Sequence, residues 1–205
     1  MRKSQLTDHI YLLSFETQAE LASAFLRFQE HYESPQFKGK VFTLEEFKDW
    51  YISNSSGGRE TGAFTYYDDW NGFNIPSRIL KPFYEGRFGE LSFAEQQILE
   101  LFKDETGDFY IIGVHRQLED QERLLEHEIA HGLFATNPEY KREVLSILAQ
   151  FDIEPIKAEL RLKSGYHEDV LDDEVHAYSL DSHLETPIPE ELSLKIRDVY
   201  SKHYR

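Results

Sequence analysis

The chain has 205 residues, 40% of them hydrophobic and 14% aromatic, enough for one substantial core and a subsidiary lobe. Its 38 acidic residues against 22 basic ones leave a formal charge of -16, which argues against a general nucleic-acid or anionic-membrane surface. There is no cysteine, so disulfides, cysteine zinc knuckles and thiol catalysis are excluded, and a transition-metal site must draw on His, Asp and Glu.

The opening MRKSQLTDHIYLLSFETQ has too short an apolar run for a secretory leader, and no run approaches the roughly 18 to 20 apolar residues that span a bilayer. A cytoplasmic protein is therefore expected. HIYLLSF reads as a first strand. ETQAELASAFLRFQEHYES follows as an amphipathic helix, with Leu21, Ala24, Phe25 and Phe28 at helical spacing. TLEEFKDWYI is a second helix, with Thr43 as N-cap and Glu46 in the capping-box position. NSSGGRETG reads as a flexible stretch, and places a boundary between an N-terminal helical lobe (1–56) and the remainder (57–205).

Residues 63–84 are rich in aromatics and broken by Asn71-Gly72 and two prolines, which predicts a hairpin-like β element and a short helix from Pro76. Their rings suit core packing better than a substrate wall. LSFAEQQILELFKDE is a helix boxed by Ser92 and Glu95, and GDFYIIGVH is the clearest strand. QLEDQERLLEHEIAHG is a helix expected to stop at Gly132. Four more helical patterns follow: PEYKREVLSILAQF, EPIKAELRLK, VLDDEVHAYSL and PIPEELSLKIRDVYSKHY. Helices dominate and strands are few, so the fold class is α+β.

Within LLEHEIAHG, His127 and His131 fall one helical turn apart on the same side, since residues advance by about 100° each. Leu118, Leu125 and Ile129 form an apolar stripe elsewhere on this helix, leaving the histidines to face a cleft with Glu128 between the two faces. Two converging imidazoles with a neighbouring carboxylate match the needs of a zinc ion that activates water. Candidates for a third ligand are His167, Glu168, Asp169, Asp172, Asp173, Glu174 and His176. In VLDDEVHAYSL the apolar positions Leu171, Val175 and Tyr178 mark one face, and Glu174 lies inside it. A carboxylate directed into a core is costly unless paired or metal-bound, so Glu174 is the strongest candidate. His176 and Asp172 point about 160° away from it.

HEIAH resembles the HExxH motif of the zinc metallopeptidases, and two histidines from one helix with a glutamate from a later one resembles their gluzincin branch. The resemblance is local. It implies a mostly helical zincin-like fold with a small β-sheet beside the active-site helix, a Zn2+ held by His127, His131 and Glu174, and Glu128 as general base. The implied activity is hydrolysis of peptide bonds in a peptide or protein substrate, with residues 57–205 as the catalytic region. The metzincin continuation is absent, because Phe134 and Asn137 stand where it requires Gly and His. Two helical segments separate His131 from Glu174, a longer gap than is common in gluzincins. The family also places an Asp one turn after the ligand Glu, where this chain has Tyr178, so an acidic partner for His131 is expected from elsewhere.

Tyr166, His167, Tyr178 and His176 are the candidate stabilisers of a developing oxyanion, Tyr166 and His167 foremost because they lie in the loop before the ligand helix. The resemblance further places GDFYIIGVH as an edge strand on which an extended peptide pairs. Its continuous apolar run fits an interior strand instead. Two other readings stand beside the peptidase: a zinc amidohydrolase of a non-peptide amide, and a non-catalytic, zinc-stabilised interaction module using the aromatic segment as its surface. No nucleic-acid or membrane partner is expected, and oligomeric state is not legible.

Overall fold

In the computed structural model, residues 1–34, 36–117, 121–164, 168–181 and 184–204 are described. A two-residue turn at Asp8 and His9, the latter in the left-handed region at φ 63°, folds the start of the chain into a hairpin of β1 (Arg2–Thr7) and β2 (Ile10–Phe15). β2 is the expected first strand. β1 is an addition: RKSQLT carries no apolar alternation, and its pairing at the sheet edge makes it a strand.

Helices α1 (Gln18–Glu33) and α2 (Leu44–Asn54) begin at reciprocal capping boxes, Thr17 with Glu20 and Thr43 with Glu46. The stretch read as flexible is instead helix α3 (Ser56–Thr61), capped by Ser55 at its start and by left-handed Gly62 at its end. Its glycines serve close approach rather than mobility: a Cβ on Gly58 would sit 2.4 Å from the Tyr51 carbonyl oxygen and 2.6 Å from Ile52 Cα. α4 (Tyr66–Asp69) follows, then a single strand β3 (Gly72–Pro76) rather than a local hairpin. A 3₁₀ turn (Ser77–Leu80) leads into α5 (Lys81–Tyr84), and α6 (Phe93–Phe102) starts at the expected Ser92 and Glu95 box.

β4 (Tyr110–His115) completes a four-stranded sheet of order β1-β2-β4-β3, with β3 antiparallel to it in the register Gly72 to Val114 and Ile75 to Ile111. β4 therefore has neighbours on both sides, and all six of its residues are buried. This corrects the expectation that it is an edge strand open to a peptide. Phe25 of α1 stacks on Phe73 of β3 at 5.6 Å between ring centroids. A Cβ at Gly113 would lie within 2.6 to 2.8 Å of Phe25 and Leu21 side-chain atoms, so this close seating of α1 depends on a missing side chain. The aromatic segment lies largely in the same core, with Tyr66, Phe73 and Phe83 buried and Trp70 and Tyr84 exposed.

The remaining helices are α7 (Gln121–Thr136), α8 (Pro138–Leu148), α9 (Glu154–Ser164), α10 (Leu171–Asp181) and α11 (Glu190–His203), with a 3₁₀ turn (Glu168–Val170) leading into α10. α7 does not stop at Gly132. It runs one more turn because Leu133 and Phe134 are buried, and it ends where Asn137 caps α8 and Pro138 occupies the first position of that helix. α10 packs against α7, α8, α9 and α11, and its buried residues point in nearly every direction.

Two compact units result, one of Met1–Leu6 with Tyr11–Glu119, the other of Thr7–Ile10 with Asp120–Arg205. Region 57–205, as proposed from the sequence, draws on both. The class is mostly helical with one small sheet. Among the described residues no helix is long and apolar enough to cross a membrane.

One carboxylate in the first unit makes stability depend on pH. Burial pushes the Glu30 carboxyl up to about 7, although hydrogen bonds with Tyr66 and Ser34 oppose the shift. The folded state then binds this proton more tightly than the unfolded chain, so stability contributed by the protonated form is lost as pH rises from about 4.5 through 7. Glu30→Gln is expected to stay close to wild type near pH 4.5 and to exceed it by roughly 3 kcal/mol at pH 8. Urea unfolding at the two pH values checks this; a difference that does not change with pH contradicts it.

Candidate metal centre

α7 carries Arg123, His127 and His131 at successive turns, and α10 carries Asp173, Glu174, Tyr178 and Asp181. The two helices pack together in the second unit. His127, His131 and Glu174 converge, with one donor atom from each lying within 4.8 Å of the others. The Nε2 atoms of the two histidines are 3.1 Å apart, and His131 Nε2 is 3.8 Å from Glu174 Oε2. His131 and Glu174 are buried, while His127 keeps slight exposure.

The outer nitrogens of both rings face carboxylates. His131 Nδ1 lies 2.9 Å from Asp173 Oδ1, placed to donate its proton there, which leaves Nε2 as the nitrogen that faces His127 and Glu174. Asp173, considered from sequence only as a possible ligand, is thus the acidic partner missing at position 178. His127 Nδ1 lies 3.8 Å from Asp181 Oδ2. Asp181 is fixed in turn by Arg123, whose Nε donates to Oδ1 at 2.6 Å and whose Nη2 donates to the Asp181 carbonyl at 3.0 Å. Arg197 donates to the Leu180 carbonyl at 2.7 Å, so two arginines satisfy carbonyls at the end of α10. The Tyr178 ring stands edge-on to His127 at 4.9 Å.

Carboxylates concentrate negative charge around His131. Burial by itself would lower the pKa of His131, but the carboxylates of Asp173, Glu174 and Glu128 outweigh it and raise the value to about 10. Asp173 shows the reverse: burial would raise it, yet His131 and His176 hold it well below the usual carboxylate range. Glu128 is buried within this charged set.

The donor set can coordinate a metal ion. Two imidazole nitrogens and one carboxylate are common zinc ligands, and the 3.1 and 3.8 Å separations bracket the roughly 3.3 Å edge of a tetrahedron with bonds of about 2.0 to 2.1 Å. Asp172 is directed away, to Lys157 at 2.7 Å. His176, one of the oxyanion candidates, is fully buried against Phe134 and Tyr140 and does not face a substrate. The sequence reading set it opposite Glu174 but left out the helices that cover that side. Leu118, Tyr166 and His167 lie outside the described residues.

Comparison of the chain with protein-family models, with curated proteins and with solved structures finds no significant match.

Proposed function

We propose that the protein is a zinc-dependent peptidase of the gluzincin type, with His127, His131 and Glu174 as ligands and Glu128 as general base. The convergence of these three donors from α7 and α10 carries the reading. Held by these three residues, a zinc ion would supply Lewis acidity for a scissile carbonyl and for a bound water. Glu128, beside His127 on α7, accepts the proton of the attacking water and returns it to the leaving nitrogen. Tyr178, against the His127 ring, is a proposed donor to the developing oxyanion, as are Tyr166 and His167 in the segment before α10.

The cluster has three donors among the described residues, as in catalytic sites that leave one position to water, whereas structural zinc sites close all four. The interaction-module reading keeps only part of its proposed surface, because Tyr66, Phe73 and Phe83 are buried while Trp70 stays exposed. Hydrolysis of a non-peptide amide shares the same chemistry at the metal and is separated by substrate alone.

Purified protein is expected to bind about one zinc per chain, and His131→Ala or Glu174→Ala to lose most of it, as ligand removal empties a three-residue site. Elemental analysis after dialysis against zinc measures this, with circular dichroism to verify folding. Digestion of a peptide library with the zinc-loaded protein, counting new amino termini, tests the activity. Zinc content unchanged in both variants rejects the ligand set.

A further inference from the structure

The mutual arrangement of Asp173, His131 and His176 goes beyond the ligands. We propose that Asp173 is the positioning residue of the metal centre and that His176 holds it in place, forming a chain from the core of the second unit to the ligand His131. The proposal rests on the zinc reading above.

Asp173 and Glu174 are adjacent on α10, so their side chains leave the helix about 100° apart. His131 enters between them. Its Nε2 faces Glu174 at 3.8 Å while its Nδ1 meets Asp173 at 2.9 Å, so one turn of α10 addresses the imidazole at both nitrogens. An imidazole that donates from Nδ1 to a carboxylate has a fixed tautomer, a fixed ring plane and a more basic Nε2. Asp173 does here, from the residue before the ligand, what the resemblance expects one turn after it.

A carboxylate orients its partner only if it is itself fixed. His176 Nδ1 lies 2.6 Å from the Asp173 carbonyl oxygen and 3.2 Å from Oδ1, so one N–H addresses both backbone and side chain of Asp173. The His176 ring has no exposed surface. It stacks on Phe134 at 5.0 Å and meets Tyr140 edge-on at 5.7 Å, which restricts its rotation. Burying a polar imidazole in this position is costly, and packing alone would favour an apolar ring. Restraint of the carboxylate that aligns His131 accounts for a histidine there.

The test is zinc affinity of the full chain, stripped of metal and titrated with zinc against a chromophoric chelator. Asp173→Ala is expected to weaken binding about 10- to 100-fold, the range for loss of an outer partner of a metal ligand. Asp173→Asn, whose amide oxygen still accepts from Nδ1–H without the charge, falls between it and wild type. His176→Phe fills the space but donates nothing, and is expected to weaken zinc. His176→Asn presents an amide N–H near the Nδ1 position and is expected to restore affinity. Asp172→Asn removes the same charge one residue away, on the side paired with Lys157, and leaves affinity unchanged.

Cobalt in place of zinc adds a geometric readout: Asp173→Ala shifts the visible ligand-field bands, while Asp172→Asn does not. Thermal unfolding without metal verifies that each variant folds, and Asp173→Asn serves if Asp173→Ala does not. Wild-type affinity in folded variants of Asp173 overturns the positioning role while leaving the zinc site standing. A weakened His176→Phe that His176→Asn fails to restore overturns the role of His176. A wild-type protein that binds no zinc overturns this proposal together with the functional reading beneath it.

Discussion

Glu128→Gln is expected to lower turnover by about 10² to 10⁴ while the fold and the zinc survive, a loss of roughly 3 to 5 kcal/mol of transition-state stabilisation. Gln has nearly the shape and hydrogen-bonding reach of Glu but cannot accept a proton at neutral pH. Glu128 is buried on α7 immediately after His127, the proposed ligand, and is the proposed base for a water in that site. Its charge also helps the site to hold a cation, as its effect on His131 indicates, so the variant will bind zinc somewhat more weakly. Rates must therefore be compared at matched metal content. Counting new amino termini from a peptide library with both proteins separates the two contributions. Cleavage at the wild-type rate in metal-matched Glu128→Gln would remove Glu128 from the mechanism.

Local signals were the legible part of this fold. Two of the three capping boxes, at Thr43 and Ser92, can be read directly, because the box closes within four residues and needs no tertiary partner. β1 is not legible: a polar edge strand is defined by its neighbour, and RKSQLT carries no pattern of its own. The glycines of α3 were misread for a related reason. Composition sees freedom in Ser-Gly-Gly, whereas packing against the backbone of α2 requires the absence of a side chain at Gly58.

The candidate site divides the same way. His127 and His131 announce themselves by spacing on one helix, and Glu174 by the cost of burying a carboxylate on an apolar face. Asp173 and His176 escape that logic. Assigning faces to α10 presumes one wet side, but four helices surround it, so residues on opposite sides are both buried. The partner that gives Asp173 its meaning is 42 residues away on another helix, beyond any periodicity in VLDDEVHAYSL.

In the first unit the largest stability effect is expected at Arg27 of α1 and Glu95 of α6. Their side chains are only 8% and 4% exposed and meet in a two-pronged pair, Nε to Oε1 at 2.7 Å and Nη2 to Oε2 at 2.6 Å. The carbonyls of Phe88 and Glu90 take two further arginine donors at 3.3 and 3.0 Å, and Glu95 also accepts from the Ser92 N–H at 2.7 Å as part of the capping box. Every charge-bearing group is thus engaged, and loss of one partner leaves the other charged and buried. Arg27→Met is expected to cost about 3 to 5 kcal/mol, because Glu95 keeps its desolvation penalty without its counterion. Glu95→Gln retains the acceptor for Ser92 but strands the guanidinium. The double variant Arg27→Met with Glu95→Gln removes both charges and keeps the cap, so it is expected to be more stable than Arg27→Met alone, a departure from additivity that a double-mutant cycle reads as coupling. Urea midpoints at constant slope measure all four proteins. Additive losses, or a cost below about 1 kcal/mol for Arg27→Met, would show that the pair is a surface-like contact and that α1 is held to α6 by its apolar neighbours instead.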